Sequence, residues 1–316
     1  MKPMLAALFL LVVTSLSAQK IEKYYDYTWK EVQDPTRARF YSLIEKKDSV
    51  WSRRDYYIHE RTIQMQGYYK DRDCKTEHGE FTYYFNNGKL QMIGSYVNGN
   101  KSGSWITYHE NGMMSDSVYY DEHGWIMGTS LGWHENGVMS DSTIIYPDGS
   151  GLSISWWDNG NPSAAGRYAP GKKLHAKWQY FYSNGKLSSE EVYDQGTLVN
   201  KQYYDEEGRK LSDTTTRDRT ASFPGGLKEW QKYLERHIYF PPQYKFTNGD
   251  EAVVIVRFAV NEEGVVSEVT VTSSLHPDFD KIAVDVIKHS PKWDPALSHN
   301  RRIKEYRLQP VGFVQQ

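Results

Sequence analysis

The chain has 316 residues, with 38 Lys and Arg against 40 Asp and Glu, a formal net charge of −2. It therefore lacks the strongly basic face that a phosphate backbone demands, which excludes nucleic acid as a partner class. Hydrophobic residues make up 39% while aromatics reach 15%, so β-structure whose apolar area comes from rings is expected, and the length suits two folded units.

The first segment reads as an export signal. Lys2 is followed by the apolar run MLAALFLLVV from Met4 to Val13, then by small residues up to Ala18. Ten apolar residues fall short of the about 20 needed to cross a bilayer core. Residues 1–18 are thus assigned as a signal peptide cut between Ala18 and Gln19, with an uncleaved inner-membrane anchor as the alternative. The chain is placed in the periplasm or cell envelope. Its only cysteine, Cys74, has no intramolecular disulfide partner.

Residues 19–50 form a lead-in, and residues 51–211 repeat. "YHENGMMSDS" from Tyr108 returns as "WHENGVMSDS" from Trp133. Asn-Gly pairs stand at Asn87-Gly88, Asn111-Gly112, Asn136-Gly137, Asn159-Gly160 and Asn184-Gly185, in steps of 24, 25, 23 and 25 residues. A second turn series at Gly99, Gly124, Gly149, Gly171 and Gly196 halves the period to one strand plus one turn. Tyr84, Tyr108, Trp133, Trp156 and Phe181 precede the first-series glycines by four residues; Tyr57, Ile63, Met65 and Tyr69 continue the template upstream. Asn-Gly suits a two-residue type I′ turn, which needs positive φ at both positions. Stacked hairpins follow, because one hairpin alone is marginal in water.

In Trp105-Ile106-Thr107-Tyr108 strand alternation sends the two rings to opposite faces. Rings on both faces fit packing between repeats, or an exposed ladder for glycan or peptide. His109-Glu110 and His134-Glu135, one repeat apart, fit either a divalent-metal set or polar residues copied with the turn. No nucleophile triad, phosphate-cradling glycine loop or HExxH motif is present, so no enzyme activity, cofactor or metal is expected. The pattern from Gly103-Ser104-Trp105 through Asn111-Gly112 to Tyr120 and Gly124 resembles the MORN-variant (YwqK-like) repeats of bacterial exported proteins. That resemblance implies an elongated sheet of stacked hairpins.

Composition shifts at DTTTRDRTAS (Asp213–Ser222), and residues 212–222 are expected to be a linker. Beyond it Leu227, Trp230, Leu234 and Ile238 form a helical stripe stopped by Pro241-Pro242. Val254, Val256, Phe258 and Val260 alternate along a strand, Asn261–Gly264 turns, and Val265, Val269 and Val271 line the return. Pro277 opens a second helix with a face of Phe279, Ile282, Ala283, Val286 and Ile287. A last strand is expected over Ile303–Val314, with Trp293 and Phe279 in the core.

The phrases "FPGGLKEWQKYL", "YFPPQY", "VVIVRFAVNEEGVVSEVTVTSS", "DFDKIAVDVIKHSPKWDPA" and "YRLQPVGF" make residues 223–316 similar to the C-terminal domain of TonB-type energy transducers. Asp250-Glu251 departs from that pattern, which usually has a further Gly. The resemblance implies a small α+β module whose last strand accepts an extended peptide by β-strand addition, in TonB itself from an outer-membrane receptor. Carried over, the partner-binding edge is Ile303, Lys304, Glu305, Tyr306, Arg307 and Leu308; closure by a homodimer is the competing use. The leader has Ser15 and Ser17 but no His for a motor contact, and no Pro-rich spacer follows. The resulting expectation is a mainly β array plus an α+β module in a non-enzymatic envelope protein that binds a protein or peptide and is linked to outer-membrane transport. The alternatives are an anchored energy transducer and a glycan- or peptide-binding repeat protein.

Overall fold

The computed structural model describes residues 20–245 and 252–315; the leader with Ala18 and Gln19, and the Asp250-Glu251 departure, lie outside the described residues. One antiparallel sheet begins with β1 (Lys20–Tyr25), β2 (Glu31–Val32), β3 (Phe40–Lys47), β4 (Val50–Tyr57) and β5 (Thr62–Tyr69). It continues through β6 (Gly79–Tyr84), β7 (Leu90–Val97), β8 (Asn100–Tyr108), β9 (Met114–Tyr120), β10 (Gly128–Trp133) and β11 (Met139–Ile145). It ends with β12 (Gly151–Trp156), β13 (Pro162–Ala169), β14 (Lys173–Phe181), β15 (Leu187–Asp194) and β16 (Thr197–Tyr203). All sixteen form a single meander, interrupted only where β1 inserts between β3 and β2. The lead-in is therefore sheet as well: β1 pairs along β3 from Lys20 opposite Glu45 to Tyr25 opposite Phe40.

The Asn-Gly turns differ from the expected type. Only the glycines Gly88, Gly112, Gly137, Gly160 and Gly185 have positive φ; their asparagines do not. The Gly88 N–H donates to Phe85 O at 2.9 Å and the Phe85 N–H to Lys89 O at 2.9 Å, and the register then slips at Tyr83/Tyr84. This is a three-residue loop closing on a glycine bulge. Asparagine is used instead for its side chain. Asn111 Oδ1 accepts from the Met113 N–H at 2.8 Å, while its Nδ2 donates to Glu135 O, one repeat on, at 2.8 Å. The type I′ geometry does occur in the second turn series, at Asn98-Gly99 and Gln195-Gly196, where both φ values are positive.

One face of the sheet carries the array's core. Phe81, Trp105 and Trp178 each lie over a glycine of the preceding strand, Gly67, Gly94 and Gly166, where a Cβ would come within 2.4, 2.2 and 2.0 Å of the ring. Tyr69, Phe81, Tyr96 and Trp105 continue edge to face, at centroid distances of 5.2, 4.9 and 4.9 Å, the arrangement favoured by ring quadrupoles. Trp105 is buried between the rings of neighbouring strands, while Tyr108, on the other face, is half-buried. Burial also pushes the Cys74 thiol up to about 11, which leaves little thiolate at neutral pH.

The second unit contains α1 (Leu227–His237), β17 (Ala252–Val260), β18 (Val266–Ser273), α2 (Pro277–Lys288), β19 (Ala296–Ser298), β20 (Arg301–Ile303) and β21 (Glu305–Phe313). Its core gathers Trp230, Val254, Val256, Phe258, Phe279 and Trp293, joined from the polar stretch by Ala221 and Phe223. Of the expected α1 stripe, Trp230 and Leu234 are buried and Ile238, at the helix's C-cap, packs against the same core, whereas Leu227 at the first helical position is 72% exposed. The expected last strand is β21, which starts two residues later than expected, because the chain breaks at Lys304 and Ile303 belongs to β20. Among the described residues no helix is long and apolar enough to cross a membrane.

Gly94→Ala should destabilise the array by about 1–3 kcal/mol, since the added methyl must displace an indole already flanked by rings; a shift in the denaturant midpoint measures it.

Candidate functional site

The small sheet has the order β18-β17-β21, which leaves β21 on its margin. Its register with β17 is unbroken, from Ala252 opposite Phe313 to Val260 opposite Glu305. Val311 and Phe313 point into the core, while Tyr306 and Leu308 are 45% and 64% exposed on the other face. Pro310 lies within this register opposite Ile255. A proline, having no N–H, sits in a ladder without loss only where its nitrogen faces away from the partner. Its carbonyl instead accepts from Gln309 Nε2 at 2.6 Å. By strand alternation, the main-chain groups of Tyr306, Leu308 and Gly312 then face the open margin.

The six residues expected at the edge divide among several tasks. Ile303 pairs with Ala296 in the β19–β20 hairpin and packs against the core, so it lies before the margin strand. Lys304 reaches Glu268 Oε1 at 2.8 Å. Glu305 Oε2 accepts from the Ala221 N–H at 2.6 Å, and Arg307 donates to Ala221 O at 2.6 Å, stitching the start of β21 to the preceding segment. The Tyr306 hydroxyl donates to Glu268, and the Arg257 guanidinium lies 3.9 Å above its ring. Burial, reinforced by Glu268, raises the Tyr306 phenol to about 12. Leu308 alone combines an outward backbone with a largely unengaged apolar side chain.

Beside the margin lies a groove of about 940 Å³, lined by Leu234, Ile238, Tyr239, Phe240, Pro310 and Val314. Its floor is the strand and its wall the end of α1 with the Tyr-Phe-Pro-Pro segment. In sequence that segment reads only as a helix stop; the pairing of aromatic residues with prolines after α1 was the available signal. On the sheet's other face, a crevice of about 620 Å³ separates Arg257, Glu268 and Tyr306 from Tyr57, Tyr108 and Glu110 of the array. Asn86 Nδ2 bridges it to Val271 O at 3.0 Å. Burial raises the Glu110 carboxyl, opposed by Arg257.

The histidines singled out for metal are occupied otherwise. His109 Nε2 lies 2.8 Å from Trp133 O and His134 Nε2 2.9 Å from Trp156 O, the same repeat-to-repeat step that the asparagines make. Among the described residues no group of three His, Cys, Asp or Glu side chains is placed to hold a metal ion.

The β19–β20 hairpin ties the two units together. At its tip the His299 ring stacks on Tyr180 at 3.5 Å, and Nδ1 lies 2.9 Å from Glu191 Oε1. Burial pushes the Glu191 carboxyl up, but hydrogen bonds from His299, Tyr193 and Ser189 and the charge of His299 outweigh it, so the net shift is downward.

The fold is a hairpin meander joined to a small α+β module whose last strand lies at the sheet margin among the described residues. Residues 237–314 match the family described as Gram-negative bacterial TonB protein C-terminal, and residues 77–98 and 174–195 match the MORN repeat variant. No curated protein matches the chain. The chain thus carries MORN-variant repeats followed by a TonB-type C-terminal domain, a protein-interacting module.

A carboxyl held below its ordinary value contributes stability that is present above that value, about 4.3, and lost as pH falls through the folded one. Tyr180 and Arg301 also face this carboxylate, and neither changes charge in that window. Glu191→Gln should therefore lower the unfolding midpoint near neutral pH, and the difference from wild type should shrink on acidification from pH 5 to 3.

Proposed function

We propose that this protein binds an extended segment of a protein partner, without catalysis, by adding it as a fourth strand to the margin of the C-terminal sheet. The observation that carries the reading is β21: a nine-residue strand with one side of its main chain unpaired among the described residues, an exposed Leu308, and a groove of mixed apolar and polar lining alongside. Main-chain pairing supplies affinity in such a complex, and pockets for alternate side chains supply preference. The likeness to TonB makes outer-membrane receptors the favoured partner class and the periplasm the place, reached by export and cleavage between Ala18 and Gln19. The array then serves as the platform from which the module is presented.

The free edge also suits a homodimer, which the same experiment separates. Ten-residue peptides selected from a display library against the full chain should protect the amides of Tyr306, Leu308 and Gly312 from hydrogen exchange. Leu308→Pro, which removes one outward N–H without a ladder bond to β17, should weaken them about two- to tenfold, the worth of one hydrogen bond. Peptides that protect only the array would overturn the reading. Protection that appears with rising protein concentration and no peptide would assign the edge to self-pairing.

A further inference from the structure

The tip of the β19–β20 hairpin is held by an elaborate set of contacts. His299 and Asn300 both have positive φ, 52° and 64°, which turns the chain in two residues. The His299 carbonyl accepts from Ser188 Oγ at 3.2 Å, and its N–H donates to Asp218 Oδ1 at 3.1 Å. Asn300 Nδ2 donates to Tyr204 O at 2.9 Å and to the Tyr182 hydroxyl at 3.0 Å. Arg301 is only 8% exposed, although it is a cation. Its guanidinium donates to Ser163 O, to Phe181 O at 2.7 Å and to Ser163 Oγ at 3.2 Å, and sits 4.9 and 5.4 Å from the Trp157 and Tyr180 ring centroids.

The acceptors are informative. Phe181 O also receives Trp157 Nε1 at 3.0 Å, and Tyr204 O also receives the Tyr182 hydroxyl at 2.8 Å, both part of the repeat-to-repeat ladder. The tip thus uses carbonyls that every repeat presents to its neighbour. No carboxylate forms an ion pair with Arg301 among the described residues. All three bonds come from Nη1 and Nε has no hydrogen-bond partner, so it is the Trp157 and Tyr180 rings beside the guanidinium, and not a hydrogen-bonded fork, that favour a flat cation here.

The base of the hairpin leads directly to the margin. Only Lys304 separates β20 from β21. Leu297 of β19 exchanges backbone hydrogen bonds with Arg219 at 2.9 and 3.0 Å, and the same preceding segment, through Ala221, is bonded to Glu305 and Arg307. Withdrawing the tip would free three connected elements at once.

We propose that the array carries a binding site for an arginine-bearing β-turn, built from Trp157, Tyr180, Tyr182, Glu191 and the carbonyls of Ser163 and Phe181, and that its occupancy by the chain's own His299–Arg301 tip holds the margin strand in order. The array is then a clamp on the module, and the margin's readiness to pair depends on a contact made to a different unit. This inference stands apart from strand addition, since it concerns the order of β21 with no partner present.

Hydrogen exchange on the full chain tests it. Arg301→Ala empties the site from the hairpin side, and Trp157→Leu weakens it from the array side with the module's sequence intact. In both, exchange at 301–309 should rise at least tenfold, while Phe279–Ile287 in α2 stays within twofold of wild type. Arg301→Lys keeps the charge but not the flat group lying against the Trp157 and Tyr180 rings, and should raise exchange at 301–309 at least threefold relative to α2. It provides the same contrast should the alanine chain lose α2 protection as well. A rise confined to 296–303, with 305–309 unchanged in a variant whose α2 remains protected, would overturn the proposal.

Discussion

The array depends on one repeated bond, a side-chain donor in four of its five Asn-Gly loops reaching a backbone carbonyl 22 to 24 residues further on. Asn111, Asn136, Asn159 and Asn184 make it with their amides, at 2.7 to 3.0 Å, and His109, His134, Trp157 and Tyr182 make it with other groups. Loop carbonyls at a sheet's end have no strand partner; the His, Trp and Tyr bonds meet half-buried ones, where an open acceptor is costly, while the Asn bonds tie exposed ones. Each loop therefore satisfies the loop after it, and the spacing of the sequence repeat is the spacing of this bond. Loss of a single copy leaves an acceptor open on one side and a donor open on the other.

That ladder also explains how the C-terminal module is seated. A meander built from identical carbonyl steps offers further acceptors where its last repeats end, and the hairpin tip uses them as another repeat would. The module is consequently held by its hairpin and by Asn86 on Val271, while the free side of β21 is left beside its groove. The hairpin base and the margin strand share a chain of contacts that runs through Ala221 and its neighbour segment.

Much of this was legible in the residues. The aromatic and glycine periods specify stacked hairpins because positive φ is open to Gly and a ring needs a glycine beneath it to lie flat on a strand. The α2 stripe from Phe279 to Ile287 and the β17 alternation read directly as buried faces, and they are buried. The turn type was not legible: Asn-Gly suits several loops, and the choice rested on what the Asn side chain reaches one repeat away. Nor was the break at Lys304, for Arg301–Ile303 and Glu305–Phe313 are both extended and only their partners differ.

The sequence by itself determined the local geometry and the order of units, since propensity, turn chemistry and alternation act between residues close along the chain. Tertiary structure alone decided that His109 and His134 serve neighbouring carbonyls, that Arg301 is buried in the array 120 residues from Phe181, and that β21 lies at a margin. Those outcomes depend on which surfaces meet, and no periodicity records a contact between segments so far apart.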